Sequence, residues 1–143
     1  MNPTLKRFGY PELLIREYAH WVVLIRPCQV TLGCTVIAAK SDCISLGALG
    51  PEEGAELPLV MQEFESAVRR IAPAVKFNYL ALMMVDPNPH FHAIPRYAAD
   101  VHFSGTVFAD VAFPGPPDVR SGHTLTVNQL QGVRLLLMNA WPN

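Results

Sequence analysis

Charge is what this 143-residue sequence has least of. Lysine, arginine, aspartate and glutamate make up 16% of it and the formal net charge is −1. No basic stripe is present to neutralise a phosphate backbone, which excludes a nucleic-acid polymer as partner. Long apolar runs are also missing. Pro27 to Ala39 is uncharged but too short, and too interrupted by polar residues, to span a bilayer, so no membrane partner is expected. No apolar stretch follows Lys6 and Arg7 before Glu12, so no secretory signal is expected either. Cysteine is scarce: Cys28, Cys34 and Cys43 are odd in number and include no Cys-x-x-Cys pair. Free thiols of this kind fit a reducing compartment and place the protein in the cytoplasm. Apolar residues, by contrast, make up 50% of the chain. That rules out disorder and gives one domain, residues 1–143, enough material for a real core. Low charge with a positive mean hydropathy of +0.21 also implies apolar surface covered by a partner subunit.

Periodicity sets out the elements. Pro11 to Tyr18 reads as a short helix with Leu14, Ile15 and Tyr18 on one side. Trp21 to Ile25 and Val30 to Ala38 are rich in β-branched residues and form a hairpin around Pro27-Cys28-Gln29. Gly33 inside the second run marks a bulge or a close backbone approach. Ser41 to Gly50 is a loop. From Pro51 to Ile71, Leu57, Val60, Phe64, Ala67, Val68 and Ile71 recur at helical spacing, with Pro58 expected to kink or delay the helix. Phe77 to Val85 and His90 to Ile94 are strands around a corner, Asp86-Pro87-Asn88-Pro89. His102 to Phe113 holds one irregular strand, and Pro114-Gly115-Pro116-Pro117 is a loop. Thr126 and Gln129 have the spacing of a capping box opening a last helix, with Leu130, Val133, Leu137 and Trp141 on its buried side. Hairpin, long helix, two strands and a helix make an α+β order, a mainly antiparallel sheet with helices packed on one face.

The chemistry concentrates in one segment. On a strand, residues two apart leave the same face, so Asn88, His90 and His92 point together while Phe91 and Ala93 point the other way. Two imidazoles on one face can share a phosphate, a metal ion or a proton relay. Buried without such work, they would be costly in unpaired polar atoms.

This segment resembles the signature of the histidine triad (HIT) family, in which three histidines alternate with apolar residues before an apolar residue, a proline and an arginine. Here the slots read Asn88, His90, His92 and then Ile94-Pro95-Arg96, so asparagine replaces the first histidine. The order of apolar runs and helix upstream is similar as well, giving a core over about residues 10–97 and a C-terminal extension over about 98–143. Where the family often has Gly-His in the hairpin, this chain has Gly33-Cys34.

The resemblance implies a HIT-like fold with about five strands and a nucleotide hydrolase or nucleotidyl transferase acting on a phosphoester, phosphoanhydride or phosphoramidate. His90 is then the nucleophile, and His92 donates hydrogen bonds to phosphate or leaving group. Asn88 partly substitutes for an orienting histidine but cannot carry a proton. Asn78 and Arg96 are candidate substrate contacts, and the base rests against Trp21 to Leu24. Phosphate binding is expected to weaken as pH rises through the histidine range. The expected partner is a small-molecule nucleotide, with no cofactor and no metal, and the assembly a homodimer across the long helix and a sheet edge. Two alternatives stand beside this: a nucleotide-binding protein with little turnover, favoured by the incomplete triad, and a His-x-His metal-binding protein. The latter needs a third ligand from His102, His123, Asp86 or Asp100.

Overall fold

The structure, a computed structural model, describes residues 2–143. Five strands form one antiparallel sheet: β1 (Leu14–Glu17), β2 (Trp21–Ile25), β3 (Thr35–Ala39), β4 (Lys76–Leu80) and β5 (His90–Arg96), in the order β1-β2-β3-β5-β4. A short helix α1 (Pro3–Arg7) precedes them, α2 (Pro51–Ile71) joins β3 to β4, and α3 (Val127–Ala140) closes the chain. The α+β class and the antiparallel five-stranded sheet are as the sequence implies.

Both faces of the sheet are covered. Trp21, Val23, Ile25, Ile37, Ala39 and Ala93 point to one side, where Val60, Phe64, Ala67 and Val68 of α2 and Val133 and Leu137 of α3 complete a large core. Phe108 and Trp141 belong to that same core, so residues beyond 97 are packed into it. Val22, Leu24, Val36 and Ala38 point the other way and pack on Leu5 of α1, with Phe8, Tyr10 and Leu14 at the margin. The expectation that helices occupy one face is therefore corrected, because α1 lies on the second.

Five local readings differ from the sequence patterns. Pro11 to Tyr18 is no helix. Its apolar residues serve strand β1, which pairs with β2 through a register shift between Leu14 and Arg16, sending Ile15 to the main core and Leu14 to the other face. A run this short fits either period, and pairing with β2 decides it. The second hairpin strand starts at Thr35 rather than Val30, because Gln29 replaces the ladder. Its buried side chain accepts from the N–H groups of Gly33 (2.8 Å) and Cys34 (3.2 Å) and donates to the carbonyls of Arg26 (2.6 Å) and Cys34 (2.8 Å). Gly33 in that loop has φ +95°, which glycine tolerates best, and a Cβ there would lie 3.4 Å from Pro95 and Val68. The expected close approach is present.

The strand expected to reach Val85 stops at Leu80, leaving Met84 90% exposed in a loop. The single strand expected over 102–113 is instead a hairpin, β6 (Val101–Phe103) and β7 (Thr106–Phe108), turning at Ser104 and Gly105. Both have positive φ, +52° and +76°, the backbone of a type I′ turn.

The long helix begins at Pro51 without the expected delay. Pro58 sits inside it on the exposed side, where the carbonyl deprived of its partner meets water. Glu52 and Glu53 at its start and Arg69 and Arg70 at its end suit the helix dipole. The Thr126–Gln129 capping box forms with both reciprocal bonds, 3.0 and 3.1 Å. No helix among the described residues is long and apolar enough to cross a membrane.

Phe64 joins the two layers. Its ring lies 5.6 Å from Phe77 of β4 and 6.4 Å from Trp141, fully buried. Phe64→Ala should lower stability by about 3–5 kcal/mol, read from the urea midpoint at an unchanged slope. A loss below about 1 kcal/mol would show that this contact does not hold α2 to the sheet.

Candidate functional site

The register of β5 builds the site. His90 lies opposite Ala38 and His92 opposite Val36 on β3, while Leu80 of β4 lies on the other side of His92. Paired residues share a face, so both histidines stand on the side covered by α1, away from α2 and α3. Their rings meet edge to face with centroids 5.2 Å apart. Phe8 covers both, 5.0 Å from His90 and 5.7 Å from His92. Only 1% of His90 and 8% of His92 is exposed.

The tautomer of His90 follows from its neighbour. Its Nδ1 lies 2.9 Å from the backbone carbonyl of Asn88. A carbonyl only accepts, so Nδ1 carries the proton and Nε2 keeps the lone pair. His92 differs: its buried Nδ1 has no hydrogen-bond partner among the described residues. Burial, then the charge of Arg26, then His90, lower its pKa to about 4. His92 is therefore neutral at physiological pH and cannot supply the protonated imidazole expected to draw phosphate in.

Asn88 is buried, and its side chain is committed. Oδ1 accepts from the Thr4 hydroxyl at 2.9 Å, and Nδ2 donates to the carbonyls of Asp42 (3.2 Å) and Cys43 (3.0 Å). Its backbone N–H donates back to Thr4 Oγ1 at 3.1 Å. Orientation of His90 thus comes from the main chain of residue 88 rather than from its amide.

The other candidates separate. Trp21 points into the opposite core, fully buried, and its indole N–H donates to the Glu53 carbonyl at 2.8 Å. Alternation along β2 puts Trp21 and the histidines on different faces, so Trp21 does not reach the site. Leu24 is on the histidine face but lies beneath Leu5 and Phe8. Asn78 and Arg96 also lie on that face, bound to each other: Arg96 Nη1 donates to Asn78 Oδ1 at 2.6 Å, and Nε and Nη2 hold Asp110 at 2.7 and 3.0 Å. This buried ion pair fastens the segment after β7 to β5 and is spent on structure. Beside it lies a cavity of about 420 Å³ lined by Asn78, Leu80, Arg96 and the Pro114–Pro117 loop.

Arg26 is the residue that the sequence reading passed over. Its N–H donates to the Cys34 carbonyl at 3.1 Å, which continues the β2–β3 ladder and keeps the alternation that puts Leu24 on the histidine face. Its guanidinium donates to the carbonyls of Cys28 and Val119 and has no carboxylate partner among the described residues. The signal available was period two counted on from Leu24.

The remaining histidines stand apart. His20 Nε2 is 3.6 Å from Glu52, His102 lies on the outlying β6, and His123 Nδ1 is 3.1 Å from the Gln29 carbonyl. Among the described residues no three His, Cys, Asp or Glu side chains converge to hold a metal, so the metal alternative lacks its third ligand.

No family model and no curated protein matches this sequence. Solved structures do match. A histidine triad protein from Bradyrhizobium japonicum superposes with a TM-score of 0.74 at 19% identity, covering 99% of this chain and 97% of its own. A histidine triad (HIT) protein from Sinorhizobium meliloti gives 0.74 at 16% identity, covering 98% and 95%. A hypothetical histidine triad nucleotide-binding protein from Sulfolobus tokodaii gives 0.70 at 14%, covering 96% and 88%.

The electrostatics of His92 are directly measurable. An unfolded histidine titrates near pH 6.5, whereas His92 in the fold stays neutral until about pH 4. Because the folded value is the lower one, its effect on stability is absent above pH 6.5, and stability falls as pH drops from 6.5 toward 4. Ring-proton NMR should show His92 untitrated at pH 5.5, and Arg26→Gln should move its midpoint upward. A midpoint near 6.5 in the parent protein would contradict this geometry.

Proposed function

The chain carries the fold of histidine triad proteins, and on that premise we propose that it binds a small-molecule nucleotide and transfers or hydrolyses its phosphoryl linkage through His90. The observation carrying this reading is the hydrogen bond from His90 Nδ1 to the Asn88 carbonyl, which leaves Nε2 as an unprotonated nucleophile on a rigid strand. The match to a structure named as nucleotide-binding supports the ligand class. In the reaction, Nε2 attacks the α-phosphorus, a new N–P bond forms and the bond to the leaving group breaks. Water then cleaves the N–P bond and restores the imidazole. In this reading His92, uncharged, donates a hydrogen bond where negative charge develops. The step needs a neutral nucleophile, with the attacking lone pair on Nε2.

A second reading, nucleotide binding with little turnover, is favoured by one observation. The Asn88 side chain is occupied by Thr4 and by two carbonyls, so position 88 has no group free to relay a proton. Single-turnover assays separate the readings. With a nucleoside phosphoramidate or a dinucleoside polyphosphate, acid quench should trap a nucleotidyl adduct on His90. His90→Ala should lose the adduct and several orders of magnitude in rate, at about 1.4 kcal/mol per tenfold. AMP binding without any adduct would favour the binding protein, and neither would defeat both.

The proposed assembly is a two-fold homodimer through α2 and the free side of β4. β4 is an edge strand with its outer hydrogen-bonding groups open, whereas at the opposite edge Arg134 donates to the Leu14 carbonyl. The three cysteines are unpaired, which supports the cytoplasmic location proposed with it. Sedimentation at micromolar concentration should give twice the 15.8 kDa chain mass; a monomer alone would overturn the dimer.

A further inference from the structure

A nucleophile must be reached, and His90 is 99% covered from within its own chain. The cover is a defined body. Asn2 caps α1 by accepting from the Leu5 N–H at 2.9 Å, and Gly9 ends it with φ +92°. Gly9 donates to the Lys6 carbonyl at 3.1 Å and Tyr10 to that of Leu5 at 3.0 Å, the paired bonds of a Schellman cap. Residues 2–9 thus form one closed turn of structure whose own hydrogen bonds are internal. Their ties to the rest of the chain are specific. Leu5 is buried on Leu24 and Val36, and Asn2 Nδ2 donates to the carbonyls of Ala39 (2.9 Å) and Ser41 (2.8 Å). Thr4 exchanges two bonds with Asn88, and Phe8 lies half-buried over the two imidazoles. Arg7, itself exposed, adds only a contact with Asp86 at 4.0 Å, the outer limit of an ion pair and worth little.

We infer that residues 2–8 are an intramolecular strap occupying the nucleotide site, held shut by the Thr4–Asn88 latch, and that substrate binds only when the strap moves off. This rests on the nucleotide reading given above. Asparagine at position 88, where the resemblance calls for histidine, then has a reason. A short amide can accept from Thr4 while donating to the 42–43 turn. The strap and the base compete for the same surface, Leu24 under Leu5 and the imidazoles under Phe8. Apparent affinity is therefore the intrinsic affinity reduced by the fraction of molecules with the strap open. Gly9 is the pivot, since its left-handed backbone and the 2.6 Å approach a Cβ there would make to Leu13 bar other residues.

Thr4→Val removes the hydroxyl at nearly constant volume and leaves Asn88 Oδ1 and N–H unpaired only while the strap is closed. The latch comprises two hydrogen bonds, so the open fraction should rise on the order of five- to thirty-fold. Two readouts should move together: the affinity for AMP by calorimetry, and the rate at which diethyl pyrocarbonate modifies His90, located by mass spectrometry. Thr4→Ser, which keeps the hydroxyl, should restore parent values in both. In the parent protein, hydrogen exchange should open the amides of residues 5–10 faster than those of β2 and β3. Unchanged modification and affinity in Thr4→Val, or weaker AMP binding, would overturn the strap, as would exchange of residues 5–10 only in step with the sheet. If AMP binds neither protein, the nucleotide reading fails by itself, and the modification and exchange rates still decide the strap.

Discussion

Pairing of β5 on both sides, with β3 at one edge and β4 at the other, is the constraint on which the site depends. A strand hydrogen-bonded along both edges cannot slip by one residue without exchanging its two faces. That locks Phe91 and Ala93 toward α2 and α3 and both imidazoles toward α1. It also sets the spacing between His90 and His92 without recruiting any side chain to do so. The carbonyl of Asn88, at the mouth of the same strand, then selects the tautomer of His90. Geometry and tautomer of the proposed nucleophile come from main-chain groups, which is why an asparagine at position 88 is compatible with an oriented imidazole.

The two imidazoles differ by what surrounds them. His90 has a hydrogen-bond partner on Nδ1, whereas His92 has none there and lies in the field of Arg26. Burial disfavours the charged ring, and a nearby cation adds to that. Two guanidinium groups lie on this face. Arg96 is neutralised by Asp110, whereas Arg26 meets only carbonyl oxygens.

Much of this was legible in the sequence, and the limits have physical causes. Period two around His90 fixed the shared face, helical spacing fixed α2, and Thr126 with Gln129 fixed the start of α3, because each signal is local. What failed involved partners distant in sequence. Trp21 and Leu24 sit three residues apart in a strand, so they face opposite sides, but only the pairing of β2 with β3 and of β3 with β5 shows which of them shares the histidine face. Gln29 looks like a turn residue until its side chain is seen bonding four backbone groups of the hairpin loop. Arg96 and Asn78 have the chemistry of phosphate contacts, but an aspartate fourteen residues past Arg96 claims it. Nothing near Thr4 or Phe8 announces a role, since their partners lie more than eighty residues along the chain.

The central claim is that the histidine face is the ligand site and that residues 2–8 occupy it in the free protein. A crystal structure of the full chain with AMP tests it most directly. The account predicts phosphate oxygens within hydrogen-bonding distance of His90 Nε2 and His92, the base on the Leu24 surface, and Thr4 separated from Asn88. AMP bound elsewhere, for instance in the cavity beside Arg96, with Phe8 still seated on both imidazoles, would contradict it.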